Sequence, residues 1–148
     1  MVKTVFIAHD YYEIGGRKRK YRRLISTALK HTGFRPTYAD HAIQNVSILK
    51  EIIRKIRNAS FCILDITGRK KSTALNLNVL LELGMAYGAG RPAFLIYEER
   101  SVHPSLIKEI SDLGNELHFP YRGLNALPIL IRKTILDVVR RSRPRKGR

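Results

Sequence analysis

SFCILDITG, residues 60–68, stays almost continuously apolar until it breaks at Asp65, Thr67 and Gly68. A short run without polar alternation is what a strand covered on both faces requires, and such strands belong to parallel sheets whose crossover helices lie on both sides. The neighbouring segments agree. Upstream, NVSILKEIIRKIRN (45–58) places Ile48, Leu49, Ile52, Ile53 and Ile56 on one helical stripe. Downstream, NLNVLLELGMAYGAG (76–90) reads as a helix and RPAFLIYE (91–98) as the next strand.

The same alternation extends to both ends. KTVFIA (3–8) is a strand that delivers its C-terminal end to polar HDYY, and the following helix over 17–32 buries Tyr21, Leu24, Ile25, Ala28 and Leu29, stopping at Gly33. FRPTYAD (34–40) is a strand that Pro36 confines toward a sheet edge. A shorter helix is expected over 104–113, a last strand at HFPY (118–121), and a final amphipathic helix over 127–141 with Pro128 in its first turn. The expected fold class is α/β: a single doubly wound, mainly parallel five-stranded sheet with helices on both faces. Residues 1–139 form the domain, and RRSRPRKGR (140–148) is expected to be a basic disordered tail.

The length of 148 residues suits one domain, which buries roughly two-thirds of its unfolded surface without needing staples. Cys62 is the sole cysteine, so no disulfide can form within the chain, and its apolar neighbours imply a buried thiol. The start of the chain lacks the apolar core and cleavage pattern of a signal peptide, and no apolar run nears the roughly 20 residues of a membrane span. A soluble, cytoplasmic protein without membrane partners is expected. The net charge of +16 favours polyanions, with GGRKRKYRR (15–23) and the tail as the main clusters; solvated faces explain the same residues equally well.

In an open parallel sheet, ligands sit beyond the carboxyl ends of the strands, where strand order reverses. That rule selects His9, Asp10 and Tyr11 after the first strand, Asp65, Thr67 and Gly68 after the third, and the start of the helix carrying Glu82. Glu82 is the lone carboxylate in an apolar helix, and Asn78, four residues earlier, shares its face near the positive end of the helix dipole. A capping box is disfavoured, because Val79 and Leu81 stand three residues after Asn76 and Asn78. A buried ion pair remains an alternative for Glu82. Gly84 and Gly88 share a stripe roughly opposite Glu82, which favours close backbone packing over phosphate contact. The chain has no P-loop, no GxGxxG, no nucleophile elbow and no metal-ligand spacing among its five histidines, so no metal site is expected.

VFIAHDYYE, FCILDITG and NLNVLLELGMAYGAGRPAFLIY together resemble the nucleoside 2-deoxyribosyltransferase-like and bacterial TIR-like group of nucleotide-binding domains. There an apolar strand ending in Asp-x-Thr precedes an Asn-Pro-Asn-Val-x-x-Glu-Leu-Gly helix and a strand after Gly-Lys/Arg-Pro. The resemblance, over residues 3–97, implies a flavodoxin-like fold and cleavage or transfer at an N-glycosidic bond of a nucleoside, nucleotide or NAD. It implies that Glu82 is the nucleophile or the stabiliser of the sugar cation, that Asp65 and Asn78 orient the base or ribose hydroxyls, and that Tyr11 or His9 closes the pocket. No cofactor is then required; NAD or a nucleotide enters as substrate or ligand.

Leu77 stands where the group has proline, the loop from Asp65 to Asn76 is long and basic, and no general acid for the leaving base is apparent. A non-catalytic nucleotide-sensing module therefore remains an alternative, as does a basic protein that binds nucleic acid through its charged clusters. A homo-oligomer is expected because the Glu82 helix is apolar almost all round.

Overall fold

The computed structural model describes residues 2–10, 15–39, 47–68, 75–111 and 118–142. Five strands and five helices alternate along the chain: β1 (Lys3–Ala8), α1 (Arg17–Leu29), β2 (Phe34–Thr37), α2 (Ile48–Asn58), β3 (Phe61–Asp65), α3 (Leu77–Gly88), β4 (Ala93–Glu98), α4 (Pro104–Ser111), β5 (His118–Tyr121) and α5 (Leu127–Ser142). The strands form one sheet in the order β2-β1-β3-β4-β5, and every pairing is parallel. Val5 lies beside Phe61, Cys62 beside Ala93 and Leu95 beside His118. This is the flavodoxin-like order, whose reversal falls between β1 and β3. β2 occupies an edge, where Pro36 lacks no ladder partner that a central strand would demand.

Alternation along the strands divides the core in two. Val5, Ile7, Phe61 and Ile63 face Tyr21, Ile25 and Leu29 of α1 and Leu127, Ile131 and Ile135 of α5. Phe6, Ala8, Cys62, Leu64 and Ile66 face Ile52 and Ile56 of α2 and Val79, Leu83 and Ala86 of α3. Phe6, Ile7, Ile63 and Leu64 are wholly buried, each contributing about 1.5–3 kcal/mol. Truncating any one of them to alanine would cost about 2–5 kcal/mol.

The ends of the helices depart from the sequence reading. α1 stops at Leu29, and His31 and Gly33 then turn with positive φ into β2. α5 runs through Ser142, so Arg140, Arg141 and Ser142, expected in the tail, form its last turn instead. Arginines there face the negative end of the helix dipole, which favours extension. The remainder of the expected tail, residues 143–148, lies outside the described residues. No helix among the described residues is long and apolar enough to cross a membrane.

Candidate functional site

Glu82 sits on the core-facing stripe of α3. Val79, Glu82, Leu83 and Ala86 recur at helical spacing and are the buried residues of this helix, with Glu82 only 2 % exposed. The start of α3 is fixed from two directions. Asn76 is its N-cap, and its side-chain Oδ1 accepts from the N–H groups of Asn78 at 3.1 Å and Val79 at 3.3 Å. The capping expectation is thereby corrected: a simple N-cap needs no glutamate three residues on. The Asn76 N–H in turn donates to Ile66 O at 3.1 Å, and Thr67 bridges Leu75, so the loop after β3 is tied at its neck to the sheet. Cys62 lies on the same face of the sheet as α3. Burial pushes its thiol up to about 12, with Arg91 opposing and the Glu82 carboxylate adding to the rise.

On the other face of the sheet a polar network is buried beneath α1. Asp65 accepts from four donors: Tyr21 Oη at 2.8 Å and Tyr121 Oη at 2.7 Å on Oδ2, and the Thr67 N–H at 3.1 Å and Thr67 Oγ1 at 2.6 Å on Oδ1. Burial raises the Asp65 carboxyl above its ordinary value, and the hydrogen bonds from Thr67, Tyr121 and Tyr21 act against that rise. Both phenols are pushed up by burial and by the nearby carboxylate, so they remain donors. Thr67 Oγ1 also accepts from the Glu98 N–H at 2.9 Å, linking the end of β3 to the end of β4.

Glu98 continues the chain of contacts. Its carboxylate accepts from Ser101 Oγ at 2.8 Å, the Arg100 N–H at 3.0 Å, Arg100 Nε at 3.2 Å and the Gly123 N–H at 3.3 Å. Burial alone would raise the carboxyl, but these donors together hold it below the ordinary value. Gly123, with φ of 72°, adopts the left-handed backbone that presents its N–H at this point.

His9, 3 % exposed, stacks on Tyr21 with ring centroids 4.4 Å apart and meets Tyr38 edge-on at 5.7 Å. Arg22 Nε donates to His9 Nε2 at 3.1 Å, and the Arg22 guanidinium lies 3.9 Å from the centroid of the Tyr38 ring. Burial, reinforced by Arg22, lowers the imidazole to about 4, so it is neutral near pH 7 and carries its proton on Nδ1.

The structure therefore joins His9, Asp65 and Thr67 through Tyr21, but on the face opposite to the one that Glu82 enters. Asp65 is not beside the Glu82–Asn78 pair as the strand-end rule alone implied, because odd positions of β3 point toward α1 and even positions toward α3. Asn78 is exposed in the first turn of α3, while Asp10 and Gly68 are half-buried. Tyr11 lies outside the described residues. Tyr21, Arg22, Glu98 and Tyr121 escaped the sequence reading as site residues; Glu98 and Tyr121 end their strands, so the rule that selected Asp65 would also have selected them. A cleft of about 380 Å³ opens between Tyr97, Arg100, Val102, Ile107 and Arg122 beyond β4 and β5, away from the β1/β3 reversal. Among the described residues, no group of His, Cys, Asp and Glu is arranged to hold a metal ion.

A five-stranded parallel sheet in this order defines a flavodoxin-like α/β domain, and the capped start of α3 follows β3, at the end of the sheet where strand order reverses. The model of the CAP12/Pycsar effector protein TIR domain matches residues 4–115, and the chain belongs to that family. Solved structures with the same fold include a 2-desoxiribosyltransferase from Leishmania mexicana, at 23 % identity and a TM-score of 0.56, the match spanning 64 % of each chain. The Clostridium botulinum CMP N-glycosidase BcmB is 15 % identical with a TM-score of 0.64, over 89 % of this chain and 99 % of that one. The RPS4 and RRS1 TIR domain heterodimer is 18 % identical with a TM-score of 0.64, over 93 % and 96 %. These likenesses show a shared fold. A search of curated proteins found no match.

Proposed function

We propose that this domain cleaves, or transfers at, the N-glycosidic bond of NAD, a nucleoside or a nucleotide, with Glu82 as the reacting carboxylate. The observation that carries this reading is the burial of Glu82 on the inner stripe of α3, behind the capped end of the helix. As the C1′–N bond breaks, its electron pair leaves with the base and positive charge develops on the ribose. A fixed carboxylate in a water-poor setting stabilises that charge or bonds to C1′, and water or an acceptor hydroxyl then takes the sugar. The family membership and the activities named for the Leishmania and Clostridium proteins support the reading. The test is incubation with a panel of NAD, nucleosides and nucleoside monophosphates, reading free base by chromatography. Wild type should release base and Glu82→Gln should not, with the thermal midpoint nearly unchanged; equal release by both sinks the proposal.

A second reading, a nucleotide-sensing module, draws on His9. A neutral, buried imidazole whose Nε2 already accepts from Arg22 is a poor proton donor for a leaving base. Calorimetric binding of a nucleotide without product after long incubation would favour this reading. The basic nucleic-acid-binding alternative rests on α1 and α5, which pack side by side and expose Arg17, Lys20, Arg23, Arg132, Lys133, Arg140 and Arg141.

A further inference from the structure

The cleft beyond β4 and β5 has two chemically different sides. Tyr97 and Ile107 belong to the apolar layer on the α3 face of the sheet, and with Val102 they give the cleft, about 380 Å³ in volume, an apolar wall. Arg100, in the connection from β4 to α4, and Arg122, directly after β5, line it from two separate loops. Each guanidinium is anchored through Nε, Arg100 on Glu98 Oε1 at 3.2 Å and Arg122 on Glu99 Oε1. The anchors are themselves fixed: Glu98 is buried and also accepts from Ser101 Oγ and the Gly123 N–H, and the Glu99 N–H donates to Tyr121 O at 3.0 Å. The two loops are thereby tied together at the cleft. A Cβ at Gly123 would stand 3.6 Å from Arg100 Nη2, so this guanidinium lies over the glycine. Among the described residues, no acceptor meets the Nη groups of either arginine. Exposed ion pairs of this kind add little to stability, so the fold alone gives weak reason for two oriented guanidiniums beside an apolar wall.

We propose that this cleft is a binding site, separate from Glu82, for a small phosphomonoester with a flat ring, of the size of one nucleoside monophosphate. The phosphate takes the Nη groups of Arg100 and Arg122, and the ring lies against Tyr97 and Ile107. Three features select this chemistry. Glu98 and Glu99 already accept from the arginines, so the hydrogen-bonding capacity left over is that of donors, and a chain of charge +16 favours an anion over a cation. One guanidinium fork satisfies a carboxylate, whereas the three terminal oxygens of a phosphate can serve two forks at once. An aromatic ring on the apolar side accepts a planar ring by stacking, and the volume lies near the lower end of the roughly 300–1,000 Å³ found for small-molecule pockets, room for one such ligand. The inference does not rest on the role proposed for Glu82.

Isothermal titration calorimetry on the full chain carrying Glu82→Gln, which removes turnover of the ligand at that carboxylate, tests the site. Adenosine 5′-monophosphate should bind saturably and about tenfold or more tighter than adenosine or inorganic phosphate, because it alone engages both sides of the cleft. Added Arg122→Gln or Arg100→Gln should each weaken it about tenfold or more, and Arg122→Lys nearly as much, since an ammonium keeps the charge but loses the fork. Lys3→Gln removes the same charge at the opposite end of the sheet and should leave the affinity within about twofold. Arg122 is exposed and bonded through Glu99 alone, so its variants carry the test if Arg100→Gln, which frees a buried carboxylate, lowers the thermal midpoint. Absence of saturable binding at millimolar ligand, adenosine binding as tightly as its monophosphate, or equal losses in Lys3→Gln and Arg122→Gln would each overturn the site. Binding that survives both arginine substitutions also overturns it, and leaves the reading of Glu82, which base release tests, untouched.

Discussion

Tyr21 of α1 and Tyr121 of β5 donate to the same oxygen, Oδ2 of Asp65, at 2.8 and 2.7 Å. Helix α1 and the far edge strand are thereby joined through the end of β3. The shared acceptor is buried, so removing one hydroxyl leaves a weaker network rather than a hydrated one. Tyr21→Phe and Tyr121→Phe should each cost about 1–3 kcal/mol in denaturant unfolding. Their combination should be non-additive, because the two bonds share one oxygen. Strict additivity within about 0.3 kcal/mol would show that the two bonds act independently.

A pH dependence follows from His9. Its imidazole is lowered from 6.5 to about 4 in the folded chain. Between those values the unfolded chain binds a proton that the folded chain excludes, so stability falls as pH drops through the window and rises as pH climbs back. From pH 7 to pH 5 this one group should remove about 2 kcal/mol. His9→Gln keeps an acceptor for Arg22 but cannot titrate, and its stability should change less over the same range by about that amount. Chemical denaturation at pH 7 and pH 5, compared between the two proteins, reads the difference directly; parallel losses would exclude His9 as the source.

The residues themselves disclose how far the sequence could be read. The unbroken apolar run of β3 and the stripes of α2 and α5 announced a doubly wound sheet, since burial on both faces leaves little other choice. Glu82 was legible as the lone carboxylate of a helix apolar almost all round, a pattern that does not say which side faces the sheet; its place on the inner stripe with Val79, Leu83 and Ala86 comes from the packed helix. Asp65 was legible as a residue at a strand end but not as the centre of a network. Its partners Tyr21 and Tyr121 lie far away in sequence, and only the packed sheet brings them to it. The separation of Asp65 from Glu82 required knowing which helices cover which face, a property of chain crossover and not of any local pattern.

Asn76 offers a local test of how the site is held. Its Oδ1 accepts from the N–H groups of Asn78 and Val79, two donors that α3 cannot satisfy within itself. Asn76→Ala should lower stability by about 1 kcal/mol, while Asn76→Asp, which keeps the acceptor and adds charge at the positive end of the helix, should restore it. If the cap also positions Glu82, base release by Asn76→Ala should fall more than the small loss of folded protein explains. Assays well below the unfolding temperature separate these effects, and activity that tracks folded fraction alone would confine Asn76 to a stabilising role.

Helix α1 concentrates its charge where the fold gains least from it. Arg17, Lys18, Arg19 and Lys20 occupy the positive end of the helix dipole, no acidic residue stands in the first turn, and Gly16 provides no side-chain cap. Tyr21, Ile25, Ala28 and Leu29 hold the helix down by burial instead. Lys20→Glu on the exposed face should relieve this arrangement, placing a carboxylate near the helix start and within one turn of Arg17 and Arg23, for a gain of about 0.3–1 kcal/mol. If the α1–α5 face contacts phosphates, the same substitution should weaken binding to any nucleic-acid sequence and make its salt dependence shallower by about one to two counterions. Stability and binding would then move in opposite directions. Thermal melts paired with salt-titrated binding to a duplex of arbitrary sequence test both halves, and a more stable variant with unchanged binding would rule out this position as a phosphate contact.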